Sequence, residues 1–233
     1  RGVKRHLINP GDPDALPPVE PVYEDDESLR RRAQMAPEGY STAGPDGAYI
    51  FHTLNAHPDI LDASVDAPQF ALHEPSEEVR ALLPEKAVVL VATHDAGLVN
   101  PMPGDVAINV LSRTGEGIPS EEILAAVDGS LNSEEIVPLT DRPYPCAAEI
   151  ISYEIEAELV FYPGPSADVC LEAAEKSARK YAAATHKMGY DVTISGIHAA
   201  LHQPGVQNVR LISPATDIPV EKHQASYCTG ITI

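Results

Sequence analysis

Tryptophan is absent from this chain of 233 residues, and aromatic side chains of all kinds make up only 5% of it. A surface that binds sugars or receptors by stacking needs aromatic platforms, and this composition argues against one. Cysteine is nearly as scarce: Cys146, Cys170 and Cys228 are odd in number, widely spaced and without a CxxC pair. That disfavours a disulfide framework and predicts free thiols, small core residues in a reducing compartment. Long hydrophobic runs are missing too. The longest, residues 87–93, is far too short to span a bilayer, so no membrane insertion is expected. The basic start RGVKRHLINPGDP has no apolar stretch behind it, so no secretory leader is expected. An initiator methionine is also lacking, which predicts a trimmed piece of a longer protein.

Positive charge is the remaining shortage. Sixteen Lys and Arg stand against 35 Asp and Glu, a net charge of −19. Such a chain repels nucleic acid and anionic membranes through its overall field, so neither is an expected partner. The acidity suits either basic surfaces on protein partners or solubility alone. What is present is an ordinary globular composition, 43% apolar and 22% charged, long enough to bury a core.

Four segments follow from the punctuation. Residues 1–27 hold five prolines and close on Glu24-Asp25-Asp26-Glu27, which reads as an extended arm or linker. Residues 28–68 read as a helical segment with a short strand. A helix is expected near Ser28, carrying Arg30, Arg31 and Arg32, with the preceding acids favoured by the helix dipole. A second helix is expected after Pro45, and LDASVDAP alternates as a short strand. Residues 69–104 read as an inserted α/β segment, with a one- or two-turn helix capped by Ser76 and a buried strand over 87–93.

Residues 105–233 read as a C-terminal α+β domain. Ser120 caps a helix with Ile123, Leu124, Val127 and Leu131 on its apolar stripe. From Ala147 to Tyr162 apolar and polar residues alternate, so Tyr153, Ile155 and Ala157 face one way and Glu154, Glu156 and Glu158 the other. A long helix over 166–187 follows, then a short helix over 195–202 and two strands, 206–213 and 226–233. The expected fold class is α+β: a mixed β-sheet with helices packed on one face, plus a mainly helical N-terminal part.

No catalytic constellation emerges from the residues. His198 and His202 sit at i,i+4 on one short helix, the weak candidates for a metal, but the HExxH glutamate is missing and no third ligand is spaced nearby. Gly115-Glu116-Gly117 before a helix reads as a turn and cap, because Glu116 would repel a phosphate. Ser41 and Ser195 lack a nucleophile-elbow context. The carboxylates of Glu154, Glu156 and Glu158 lie roughly 7 Å apart along one strand face, with nothing placing a reacting atom between them. A solvated or partner-facing surface is the stronger reading, with Arg210 or Lys222 as cross-strand partners. Asp141-Arg142 in PLTDRP is expected to lock a connection by hydrogen bonds.

The order of words along the chain carries more. VKR near the start, DES-LRRR and STAG-x-x-GAY are followed by VLSRTGEG-x-PSEE, PLTDRP and EIEAELVFYPGP, then by HKMGYDVTISGIHAALHQPGV and a closing QASYCTGI. Together they resemble the baseplate J-like family, the J-type baseplate wedge proteins of contractile phage tails and R-type pyocins. The resemblance implies a structural component of a virion tail baseplate or bacteriocin particle, assembled in the bacterial cytoplasm. It would link wedges into a sixfold ring around the hub and take part in the rearrangement that triggers sheath contraction. The implied partners are other wedge subunits, copies of itself, and hub, sheath-proximal and tail-fibre proteins, with no cofactor and no catalytic residue. It also implies an N-terminal region for sheath-proximal partners, much of which this chain lacks, and marks 69–104 as an insertion. Interface candidates are Glu154, Glu156, Glu158, Arg30 and Arg31. The competing readings are a metal-dependent hydrolase using His198 and His202, or a receptor-binding module.

Overall fold

Two three-stranded mixed sheets, each with helices on one face, carry the core in the computed structural model, which describes residues 3–40, 45–133, 136–164 and 166–233. The fold class is α+β. The STAG word with Ser41, and Pro165 of YPGP, lie outside the described residues.

In the first half a short hairpin, β1 (Leu7–Asn9) with β2 (Val22–Tyr23), leads into α1 (Asp26–Met35). Asp25 caps α1 by accepting from the Ser28 N–H at 2.9 Å, and Asp26 and Glu27 fill its first turn. Helix α2 (Asp46–Ala56) buries Ala48, Tyr49 and Leu54. The strand β3 (Ile60–Asp66) then runs antiparallel to β6 (Asp105–Ser112), and β7 (Arg142–Ala147) adds to β6 in parallel. Between β3 and β6 the chain makes an excursion: β4 (Gln69–Leu72), the single turn α3 (Glu77–Arg80) and β5 (Leu90–His94). Helix α4 (Glu121–Leu131), capped by Ser120, lays Ile123, Val127 and Leu131 onto Ile108 and Val110 of β6.

The second half is built on β8 (Glu149–Phe161), the central strand between β10 (Gln224–Thr232), parallel to it, and β9 (Val206–Ser213), antiparallel. Helices α5 (Ala167–Thr185) and α6 (Ile194–Leu201) cover one face, where Tyr153, Ile155 and Ala157 meet Ala174, Ala178, Ile197 and Leu201. The two cores touch through a smaller cluster of Leu111, Ala148, Met188 and Ala225.

Several expectations need correction. The strand expected as buried over 87–93 is β5, exposed at every residue, because only β4 pairs with it and no core lies beneath. The alternation over 147–162 spans two strands, since Ala147 ends β7 opposite Val110 and β8 begins at Glu149. Strand β7 was hidden by Pro143 and Pro145, which suit only an edge strand, and an edge is where β7 lies. The mixed strands of the α+β fold are divided between two three-stranded sheets. The helix expected over 166–187 is α5, which ends at Thr185 and buries Cys170, Ala174 and Ala178.

Candidate functional site

The glutamate row forms on the open side of the second sheet. Period-two alternation along β8 sends Tyr153, Ile155 and Ala157 under α5 and α6, so Glu154, Glu156 and Glu158 face solvent. Across the ladder Arg210, directly opposite Glu158 in the register, reaches it at 3.6 Å. Glu154 accepts from the Thr229 hydroxyl at 3.5 Å. Lys222, the other expected partner, turns instead to Asp46 at 3.8 Å and donates to the Val65 carbonyl at 3.2 Å. The row is a negatively charged surface on a rigid strand. It holds no opposed pair of carboxyl groups around a reacting centre.

The arginines lie elsewhere, on α1. Arg30 is exposed. Arg31 donates to Asp62 at 2.6 Å, so its charge is engaged within the chain. Arg32 is buried and enters a polar cluster of several charged and amide groups. Its guanidinium makes two bonds to Glu24, donates to the Lys4 carbonyl at 2.7 Å and to Asn55 Oδ1 at 2.6 Å. The His6 N–H donates to Glu24 at 3.0 Å, and Arg5 donates to its carbonyl at 3.0 Å. This clamp stitches the N-terminal arm to α1. Burial alone would raise the Glu24 carboxyl, but hydrogen bonds from Arg32 and His6 and the Arg32 charge hold it below its ordinary value. Burial, with the Arg32 charge, pushes the His6 imidazole down.

Beside the clamp a cavity of about 320 Å³ opens between the arm, α1, β3 and α5, lined by His6, Glu24, Arg31, Arg113, Lys180 and Lys187. Its cations are largely answered: Arg113 lies 3.5 Å from Asp25, and Lys187 lies 3.3 Å from Glu27. The same seam is held by Asp62, buried in β3, which accepts the Met188 N–H at 3.1 Å, and by Ser64, which donates to the Lys222 carbonyl at 2.6 Å. Sequence reasoning passed over these groups. The signal was there in LDASVD, where Asp62 and Ser64 occupy positions too polar for a buried strand without partners.

His198 and His202 sit at the end of α6, where His202 is the exposed C-cap and its N–H donates to the His198 carbonyl at 2.9 Å. Among the described residues no three His, Cys, Asp or Glu side chains gather as a metal site. Asp141 accepts the Tyr49 hydroxyl at 2.7 Å, and Arg142 meets Asp105 at 2.7 Å, so PLTDRP ties α2 and β6 to the start of β7. Gly117, at φ +104°, accepts from the Ser112 N–H at 2.7 Å. A Cβ there would fall 2.6 Å from Leu111, which explains the glycine as a turn.

Residues 153–233, from within β8 to the end of β10, match the baseplate J-like protein C-terminal domain. Over 225 residues, 97% of this chain, the sequence is 37% identical to baseplate protein J of Escherichia phage P2. Its C-terminal third is thus a baseplate J-like domain, and the chain as a whole is similar to a baseplate J protein. It spans 64% of the length of that relative. In fold it is similar to a chain of the cryo-EM structure of the anti-feeding prophage (AFP) baseplate, 6-fold symmetrised. That similarity has a TM-score of 0.52 over 93% of this chain and 44% of the other, at 16% identity. The J-like C-terminal domain holds the glutamate row, Arg210 and both α6 histidines, whereas the arginines of α1 and the Glu24–Arg32 clamp lie outside it.

Proposed function

We propose that this J-like chain is a structural, non-enzymatic component of a contractile-tail baseplate, situated at the tail tip of a phage or phage-like particle. The observation that carries this is the 37% identity along 97% of the chain to baseplate protein J of Escherichia phage P2. The matched C-terminal domain and the fold similarity to a chain of the AFP baseplate support it. In its finer form, the chain is a wedge protein that links neighbouring wedges into a sixfold ring around the hub. There it contacts copies of itself and hub, sheath-proximal and tail-fibre proteins, and it shifts when the baseplate rearranges to release the sheath. The outward row of Glu154, Glu156 and Glu158 and the exposed Arg30 are the surfaces offered to those contacts. Interfaces built on opposite charges give specificity and fast association without the permanence of an apolar seam, which suits a device that must later let go.

The test is a cryo-EM reconstruction of purified tail particles carrying the full-length protein, with mass spectrometry of their chains. Density for this fold in a ring at the tip is expected. Particles that lack the chain, or that hold it away from the baseplate, overturn the assignment. Charge reversal at Glu154, Glu156 and Glu158 together is expected to lower its incorporation; unchanged incorporation removes the row from the interface.

A further inference from the structure

The excursion between β3 and β6 is not required by the sheet that it interrupts. Asp66 pairs with Ala107, so removing residues 69–103 would leave a five-residue connection between these two antiparallel strands. Hairpin connections of two to five residues are common. The chain instead inserts β4, α3 and β5, which pair only with each other. Leu90 and Val91 are neighbours on β5 and therefore point to opposite faces, and both are exposed. Among the described residues, Phe70 is the one side chain of the two strands that is partly buried. Leu72, Leu82, Val88 and Val99 are between 67% and 91% exposed. A two-stranded hairpin alone is marginal in water, and a concentration of bare aliphatic side chains marks an interaction site. The root is fixed, since His94 of β5 meets Asp66 of β3 at 2.7 Å and Ala96 is buried.

Charge decides what can cover it. The segment 69–104 carries five acidic side chains against two basic ones, on a chain whose net charge is −19. A second copy would approach with like charge on both sides, which costs association energy. We propose that this excursion is a docking arm for a different protein of the particle, one presenting an apolar surface rimmed by Lys and Arg. The cup of about 490 Å³ between the α3 turn and the hairpin receives one of its apolar side chains; Leu72, Pro75, Ala87 and Val88 form the floor, and Glu74 and Arg80 stand at its polar edge. This rests on the baseplate reading for the source of the partner.

A photo-crosslinking residue placed at Leu82 in full-length protein within purified tail particles tests it. The expected product joins this chain to another chain through a peptide flanked by Lys or Arg. A product between two copies of this chain, or none where the same residue at Arg30 does crosslink, overturns the docking arm. Absence of the chain from the particles would instead overturn the baseplate assignment, so the two failures are distinct. The double substitution Leu82→Asp, Val88→Asp is expected to leave the melting temperature of the isolated chain unchanged, because both sites are exposed. Incorporation into particles is expected to fall roughly tenfold or more, as for loss of an interface anchor. Normal incorporation of that stable variant also overturns the proposal.

Discussion

Strands β5 and β6 are near neighbours in sequence and alike in composition, LVATH and DVAINVLS, yet every residue of the first is exposed and every residue of the second is buried. The difference lies in what surrounds them. β6 is the middle strand of a sheet, with β3 and β7 on its edges and α2 and α4 bearing on its apolar side chains. Among the described residues β5 has one partner strand, and each of its side chains is exposed. An apolar run states that a segment should be covered; topology decides whether its own chain does the covering. Where it does not, the uncovered run is a claim on another molecule.

The sharpest way to probe that contrast is to remove a group that the chain covers completely. Arg32→Ala would strand the Glu24 carboxylate in the interior, and urea denaturation should show a loss of about 3–5 kcal/mol. Replacing both partners by Gln and Met should cost less than either single truncation; equal losses would mean that the pair is no unit. Within the covered strand itself, Ile108→Ala should cost about 2–5 kcal/mol, since α4 and α2 cannot fully collapse onto the space left.

Acid should act on the clamp next. His6 sits below its ordinary value of 6.5, so the unfolded chain takes up its proton first and stability falls as the pH drops through 6.5 toward the folded value. Glu24 is also depressed, so its contribution is complete above 4.5 and is lost as the pH falls below that. Melting curves of the native chain and Glu24→Gln should therefore converge in acid; a constant gap would exclude the clamp as the cause. The smallest effect belongs to the exposed strand. Val91→Ser should change the unfolding free energy by no more than about 0.5 kcal/mol, and a loss like that at Ile108 would show that β5 is packed after all.

Much of this was legible beforehand, and for local reasons. The Ser120 cap, the stripe of Ile123, Val127 and Leu131, and the alternation along β8 depend on neighbours within a few residues, so period and capping chemistry suffice. The outward direction of the glutamate row followed from the same alternation, but the choice of Arg210 over Lys222 as its partner needed the cross-strand register. The parts that escaped depend on distant partners. Pro143 and Pro145 conceal β7 until β6 is known to have a free edge. Arg32 differs from Arg30 only by which side of α1 meets Glu24, Lys4 and Asn55, and three arginines in a row carry no sign of that. β5 misled because its composition matches a core strand and its burial is decided by absent neighbours.

One carboxylate on β3 has mechanical consequences. Asp62 holds Arg31 of α1 and the N–H of Ala63 on one oxygen, at 2.6 and 2.7 Å, and the Met188 N–H, just past α5, on the other at 3.1 Å. A load applied at α5 is thus passed to α1 in part through a two-oxygen group seated in a stiff strand, beside the direct Lys187–Glu27 pair. Hydrogen bonds lose their grip over fractions of an ångström, so this joint bears strain with little give and then yields at once. It is one of several ties between the two halves, and one that grips three groups at once.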